Sequence, residues 1–325
     1  MGRVNYWRDK NVLVTGANGF VGSWLTEELL HNKAKVTAVI RDKIPDSYLI
    51  LSGSVDKINI VDASITDYDQ ILRALNEYNI DTVFHLAAQA IVTTANKNPL
   101  STLETNIKGT WTLLEACKNI GKIERIIVAS SDKAYGVQKD LPYKEDSPLL
   151  GLYPYDASKA CTDIIARSYF TTYGLPTAVT RCANTYGGGD LNFSRIIPDT
   201  IKSVLFNNEP IIRSDGTPER DYLYIKDAIK AYLTLAQNIG RTEVSGRAFN
   251  FGSGIPISVL DVVNKIIRIT KKNIKPKVLS SAKNEIDRQY LSSEKAKKVL
   301  DWEPMYDLES GLEETVAWYK HFLKL

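Results

Sequence analysis

The sequence predicts an α/β protein: a doubly wound parallel sheet followed by a smaller C-terminal α/β lobe. Three observations predict it. Short apolar runs alternate with amphipathic stretches from residue 11 onwards. A glycine-rich turn joins the first apolar run directly to the first helical stretch. The regular alternation weakens after Arg181-Cys-Ala-Asn184, where glycine and asparagine cluster.

The elements follow in order. Asn11–Thr15 reads as a buried strand, and residues 20–32 as a helix with an apolar stripe through Val21, Trp24, Leu25, Leu29 and Leu30. Strands follow at Val36–Ile40 and Ile58–Val61, then a helix over 67–78 with Asp67 placed to cap it. Thr82–Leu86 is a strand, 99–119 a long helix, Arg125–Ala129 a strand and 154–173 another long helix. Strands this apolar are covered on both faces, which means a parallel sheet. Residues 1–183 form this sheet domain and 184–325 the lobe, with the chain crossing back around 220–252. In the lobe, helices are expected near 195–207, 225–239, 258–271 and 308–323, with Ser258 capping the third, and strands near 210–213 and 247–251.

Composition excludes several classes. The 325 residues carry 41 Lys plus Arg against 38 acidic residues, a net charge of +3, with no basic arm that would suggest nucleic acid. No apolar run approaches the roughly 20 residues of a membrane span. Cys117, Cys161 and Cys182 lie far apart, and three lone histidines make no cluster, so neither a disulfide framework nor a metal site is expected. A cytoplasmic protein is the plain expectation.

The first turn reads Gly16-Ala-Asn-Gly19-Phe-Val-Gly22. Gly16 allows the tight turn, Gly19 lets a pyrophosphate approach, and Gly22 lets helix and strand pack closely. Asn18, Phe20 and Val21 complete the cradle, and the helix N-terminus offers free N–H groups to phosphate. Strand two ends at Ile40, where an acidic residue would hold the ribose of NAD; Arg41 follows and leans the choice towards NADP over NAD. Asp62 and Ala63 are placed at the adenine edge. Leu86, Ala87, Ala88 and Gln89 are placed beside the nicotinamide ribose.

Tyr155 and Lys159 are four residues apart, on one face of the helix 154–173. A phenol beside an ammonium loses its proton more readily. That pair can take a proton from an alcohol while hydride leaves the same carbon. Ser130-Ser-Asp-Lys133, after an apolar strand, strengthens the reading.

With these residues the chain resembles the extended short-chain dehydrogenase/reductase family acting on nucleotide sugars, which implies a Rossmann-like sheet. The resemblance rests on Gly16-x-x-Gly19-x-x-Gly22, His85-Leu-Ala-Ala88, Asn106, Ser130-Ser-Asp-Lys133, Tyr155-x-x-x-Lys159 and Arg220-Asp-Tyr-x-Tyr-x-x-Asp227. Within the family it is most similar to CDP-glucose 4,6-dehydratases, sharing Tyr6-Trp7, Gly22-Ser-Trp24-Leu25, Ala87-Ala-Gln89, Ser131-Asp-Lys133, Ser158-Lys-Ala-Cys161 and Gly187-Gly-Gly-Asp190. It departs from them after Arg213, where Arg220-Asp-Tyr222 is common to many epimerases and dehydratases.

The resemblance implies an NDP-hexose substrate and a tightly bound NAD or NADP recycled within each turnover, with Asn106 among the cofactor residues. Tyr155 acts at the C4 hydroxyl, Ser131 on the same oxygen, and Lys159 on the nicotinamide ribose. The resemblance implies Asp132 as the acid and Lys133 as the base of an elimination across C5 and C6, the alternative for Lys133 being to anchor phosphate or pair with Asp132. Arg220 and Arg288 are the diphosphate ligands, with Gln89, Asn184, Asn192 and Arg195 as further substrate contacts. A homodimer through helices 99–119 and 154–173 is implied, using Leu100, Leu103, Trp111, Leu114, Ile164 and Tyr169. A 4-epimerase needs Tyr155 and Lys159 but no elimination pair. A non-catalytic nicotinamide-sensing protein needs none of Ser131, Tyr155 and Lys159.

Overall fold

Residues 5–281 and 286–325 are described by a computed structural model of the chain. The first strand, β1 (Asn11–Thr15), is buried on both sides, with Val12 and Val14 entering one apolar cluster and Leu13 the other. That division runs through the whole sheet, because successive strand residues face opposite ways. The further strands are β2 (Lys35–Ile40), β3 (Asn59–Asp62), β4 (Thr82–His85), β5 (Arg125–Ala129) and β6 (Thr177–Cys182). Short strands follow: β7 (Asn184–Tyr186), β8 (Ile211–Ile212), β9 (Glu219–Arg220), β10 (Tyr222–Tyr224), β11 (Ala248–Phe251), β12 (Ile257–Ser258), β13 (Lys277–Val278) and β14 (Arg288–Gln289).

The main sheet is seven-stranded and parallel, in the order β11-β6-β5-β4-β1-β2-β3. The chain runs outward from β1 in both directions, so a crevice opens between β1 and β4 at their carboxyl ends. Ligands of open α/β sheets bind at such a switch point. The doubly wound α/β expectation is met.

Helix Phe20–His31 follows β1, and Tyr68–Glu77 carries the expected cap, Asp67 accepting from the Gln70 N–H at 3.1 Å. Helix Pro154–Tyr173 starts with proline at its first position and ends at Gly174 in the left-handed region. Ser258 caps Val259–Thr270 by accepting from the Asp261 N–H at 3.1 Å. The expected single helix over 99–119 is instead Pro99–Leu103, a π segment Glu104–Lys108, and Gly109–Ile120 in unbroken succession.

Strand β6 is masked in the sequence by its polar residues. Arg181 is 1% exposed there, a charge that looks like surface until its partner is seen. Its guanidinium grips Asp163 through two hydrogen bonds, at 2.7 and 3.0 Å. After β7, β10 pairs with β7, β9 joins β12 and β14 in a three-stranded sheet, and β13 pairs with β8. Leu114, expected among the subunit-contact residues, is wholly buried within the chain. Leu100, Leu103, Trp111 and Ile164 are exposed. Among the described residues no helix is long and apolar enough to cross a membrane, and no His, Cys, Asp or Glu group could hold a metal.

Candidate active site

The site grows from the ends of β1, β4 and β5. Gly16 has φ of +71°, and a Cβ there would meet Ala87 N at 2.8 Å. A Cβ on Gly22 would lie 2.1 Å from the Gly16 carbonyl oxygen, so only glycine lets helix and strand come this close. Helix Phe20–His31 starts at Gly19, which has no side chain to cap it. Its first N–H groups therefore need an outside acceptor, as a pyrophosphate would be. These residues fit a dinucleotide. Asn18 donates to the Asp42 carbonyl, closing the turn against the end of β2.

Arg41 does not stand free. Its Nε and Nη2 both lie 2.6 Å from Asp42 Oδ2. Asp62 ends β3 beside Ile40, and the Ala63 N–H donates to the Ile40 carbonyl at 3.3 Å.

Across the crevice, the N–H groups of Leu86 and Ala87 donate to Thr15, the first to its carbonyl at 3.3 Å and the second to its hydroxyl at 3.1 Å. His85 is buried between the Thr15 hydroxyl (2.9 Å) and the Thr110 hydroxyl (3.0 Å). Burial, with Lys159 nearby, pushes it down to about 3, so it stays neutral. Asn106 sits in the π segment. Its amide accepts from Gln89 N–H (2.7 Å) and donates to the Gln89 carbonyl (3.1 Å) and Ser158 hydroxyl (2.8 Å). Its own carbonyl accepts from Thr110 and Thr162. The side chain expected on the cofactor is thus committed to pinning the 86–89 segment.

Ser131, Asp132 and Lys133 leave the end of β5 as the start of a 3-10 turn, Asp132–Tyr135. The Ser131 hydroxyl accepts from the Lys133 N–H at 3.2 Å and donates to Asp132 Oδ1 at 3.1 Å. Tyr155 arrives from the first turn of helix Pro154–Tyr173 and hydrogen-bonds Ser131. Burial pushes its phenol up to about 12, against the smaller pull of the Arg195 charge and the Ser131 bond. Lys159 donates to the Ala129 carbonyl at 2.8 Å, and burial pushes it down to about 8. Burial is the largest influence on the phenol, and the Lys159 amine turns to the end of β5.

Asp132 is 2% exposed, and its Oδ2 lies 3.6 Å from Lys133 Nζ. Lys133 also donates to the side-chain carbonyl of Gln289, whose NH₂ donates to the Asp132 carbonyl at 3.2 Å. Burial lowers the Lys133 pKa, the Asp132 charge raises it, and the Arg220 charge lowers it. Asp156, next to the catalytic-type tyrosine, also acts on this amine and is itself pushed up to about 6 by burial.

Gln289 and Asp156 carry no sequence signal of this role. Gln289 is one neutral amide 157 positions from its partner.

The two arginines expected to share a diphosphate part company. Register sets Arg220 beside Gln289 and Arg288 beside Glu219, so they project to opposite faces. Arg220 faces the Lys133 side, whereas Arg288 pairs with Glu219. Arg195 binds Asp190 at 2.9 Å while its charge reaches Tyr155. Asn184, in β7, donates to the distant Asp221 carbonyl beside β10, and Asn192 accepts from Ser194 within its own turn. Gln89 lies between the two halves of the crevice, its side chain accepting from Thr102 at 3.3 Å.

The family described as GDP-mannose 4,6 dehydratase matches residues 13–315. The chain belongs to that family, within the extended short-chain dehydrogenase/reductases. It is an enzyme of the NAD-dependent nucleotide-sugar dehydratase and epimerase family. A dTDP-glucose 4,6-dehydratase from Salmonella typhimurium is 33% identical over 95% of this chain and 92% of its own length. A CDP-glucose 4,6-dehydratase from the same species is 28% identical over 98% and 93%. A trifunctional UDP-glucose 4,6-dehydratase/UDP-4-keto-6-deoxy-D-glucose 3,5-epimerase/UDP-4-keto-L-rhamnose-reductase from Arabidopsis thaliana is 32% identical over 96% of this chain. The chain spans about half of that longer protein, 47% of its length.

Among solved structures, a UDP-glucose 4-epimerase from Thermotoga maritima with UDP-glucose is similar at a TM-score of 0.88, with 29% identity over 96% of this chain and 99% of that one. A dTDP-glucose 4,6-dehydratase from Bacillus anthracis in complex with NAD gives 0.85 and 28% identity over 96% and 97%.

Proposed function

We propose that the chain is a nucleotide-sugar 4,6-dehydratase that converts a CDP-glucose-like NDP-hexose to the NDP-4-keto-6-deoxyhexose. The observation that carries this is Asp132 with Lys133, a carboxylate and an amine 3.6 Å apart beside Ser131 and Tyr155. Dehydration needs an acid and a base beyond the oxidising pair; epimerisation does not.

Tyr155, as its phenolate, takes the C4 hydroxyl proton while Ser131 holds the same oxygen. NAD, when bound, would supply the acceptor for the C4 hydride and its source for C6. Lys159 would hold the cofactor ribose, Gly16, Asn18, Gly19, Phe20, Val21 and Gly22 would cradle its pyrophosphate, and Asp62, Ala63, Leu86, Ala87, Ala88 and Gln89 would line the rest. The ketone at C4 acidifies the C5 proton. Lys133 removes that proton, and Asp132 protonates the C6 hydroxyl as it leaves as water. A lowered lysine pKa favours the neutral amine that this step uses. Arg220 faces the site and is placed for the diphosphate.

NAD is preferred over the NADP lean drawn from Arg41. That guanidinium is engaged by Asp42, whose carboxylate would repel a 2′-phosphate. A homodimer through the exposed faces of 99–120 and 154–173 and a cytoplasmic setting complete the reading.

A 4-epimerase is the second reading. A UDP-glucuronate 4-epimerase from Thermodesulfobacterium geofontis is 30% identical over 96% of this chain and 97% of its own length. The deciding experiment incubates the protein and NAD with CDP-, dTDP-, UDP- and GDP-hexoses and analyses the sugars by NMR. A 4-keto-6-deoxy product supports dehydration. A product inverted at C4 with its C6 oxygen retained would establish epimerisation instead.

A further inference from the structure

We propose that Gln289 is a positioning residue for the Lys133 amine, holding it in the site from β14, the strand paired with the Arg220 strand β9. The proposal rests on the reading of Lys133 as the C5 base and adds the group that aims it.

Both ends of the Gln289 amide are in use. Its carbonyl accepts from Lys133 Nζ, and its NH₂ donates to the Asp132 carbonyl at 3.2 Å. One side chain therefore fastens two consecutive residues of the acid–base turn. Gln289 is 0% exposed, so neither end has water as a substitute. Its backbone is fixed as well: β14 pairs with β9, setting Gln289 beside Arg220, and the Asp221 N–H donates to the Gln289 carbonyl at 3.1 Å. The lysine stem has four rotatable carbons, and an amine at its end is poorly aimed unless something holds it. A carbonyl acceptor takes one N–H and leaves the lone pair to face elsewhere.

The neutrality of this holder is the second point. Three charged groups act on the amine: Asp132 from its own turn, Asp156 from helix Pro154–Tyr173, and Arg220 from β9. The phenols of Tyr155 and Tyr143 stand in the same electrostatic neighbourhood, each sensing Asp132. Two carboxylates already favour the ammonium. A third at position 289 would favour it further and remove the base. Glutamine keeps the acceptor geometry without the charge.

The test measures exchange of the sugar C5 hydrogen with deuterated water across a pH series, using the protein with NAD and the nucleotide sugar that it turns over. Gln289→Glu is nearly isosteric and keeps an acceptor for Nζ. Because the base works only when neutral, raising its pKa moves the rising limb of the profile to higher pH. Exchange at neutral pH should fall by about tenfold or more and recover above the shifted limb. Gln289→Leu should lower kcat by about tenfold while KM stays within about threefold.

A side chain that only closes the seam between β14 and the turn would change KM and thermal stability and leave the limb in place. An unmoved limb in Gln289→Glu overturns the proposal. A wild-type protein that releases 4-keto-6-deoxy sugar and exchanges C5, with variants indistinguishable from it, overturns the proposal alone. No C5 exchange by the wild type on any nucleotide sugar overturns the elimination reading beneath it.

Discussion

Lys133 Nζ stands 3.6 Å from Asp132 Oδ2, a buried carboxylate oxygen that accepts no hydrogen bond among the described residues. A buried acceptor without a donor is costly, and such atoms gather where a ligand is meant to complete them. The leaving C6 hydroxyl is a group that would do so. Asp132→Asn and Lys133→Met should each cut release of 4-keto-6-deoxy sugar by at least about a hundredfold. C5 exchange should stop in Lys133→Met and persist in Asp132→Asn. Wild-type release by both would move the elimination to other groups.

Tyr155→Phe should fold as the wild type does and lose nearly all turnover, since the phenol is the group that carries the C4 proton. Thermal unfolding and product NMR check both halves. A variant that keeps more than about a tenth of the rate removes Tyr155 from this role.

His85 sets a pH dependence of stability. Its folded pKa of about 3 is depressed from the ordinary 6.5 by burial. The unfolded chain binds the proton first, so stability is full above about pH 6.5 and is lost as pH falls towards 3. At pH 5.5 the loss from this group is on the order of 1 kcal/mol. His85→Gln cannot be protonated, so its unfolding free energy should fall less between pH 7.5 and 5.5 than that of the wild type. Denaturant titrations giving wild type and variant the same loss of unfolding free energy between the two pH values would exclude this linkage.

Asp42→Ala should free Arg41 from its ion pair and remove a negative charge near the expected adenosine ribose. NADP affinity should then rise by about tenfold while NAD affinity changes little, because a charge-assisted contact is worth about 1.5–3 kcal/mol. Isothermal titration with both dinucleotides measures it. Equal changes for both would place Arg41 away from the 2′ position.

Trp111, at 45% exposure, and Ile164, at 52%, lie on the two helices expected to pair between subunits. The double change Trp111→Lys and Ile164→Lys should leave the fold intact and yield monomers. Analytical ultracentrifugation at micromolar concentration reads the state directly. A wild-type monomer there would refute the dimer.

Local chemistry explains what the sequence made legible. Asp67 and Ser258 announce their helices by capping them, and Gly16 and Gly22 announce the turn because no other residue fits. Tyr155 and Lys159 are visible because one helix carries both. Legibility fails where a residue depends on a distant partner. Arg181 hides β6 because Asp163, which makes its burial tolerable, is 18 positions away. Gln289 is silent because an amide has no charge or spacing to mark it. Arg220 and Arg288 looked alike until strand register put them on opposite faces. Arg41 read as a phosphate ligand only while its neighbour Asp42 was left out.

The π segment Glu104–Lys108 has a consequence for how this chain can vary. A π turn holds one residue more than the α-helix around it, and each residue turns a helix by about 100°. Leu100 and Leu103 before it, and Trp111 and Leu114 after it, therefore keep two different phases. Deleting a residue between 104 and 108 would restore an even helix. It would also swing the preceding turn to a new bearing and withdraw the Asn106 amide from Gln89. The irregularity acts as a spacer that lets one rod face a crevice at one end and a core at the other. Length in this segment should be far less free to change than the identity of its exposed residues.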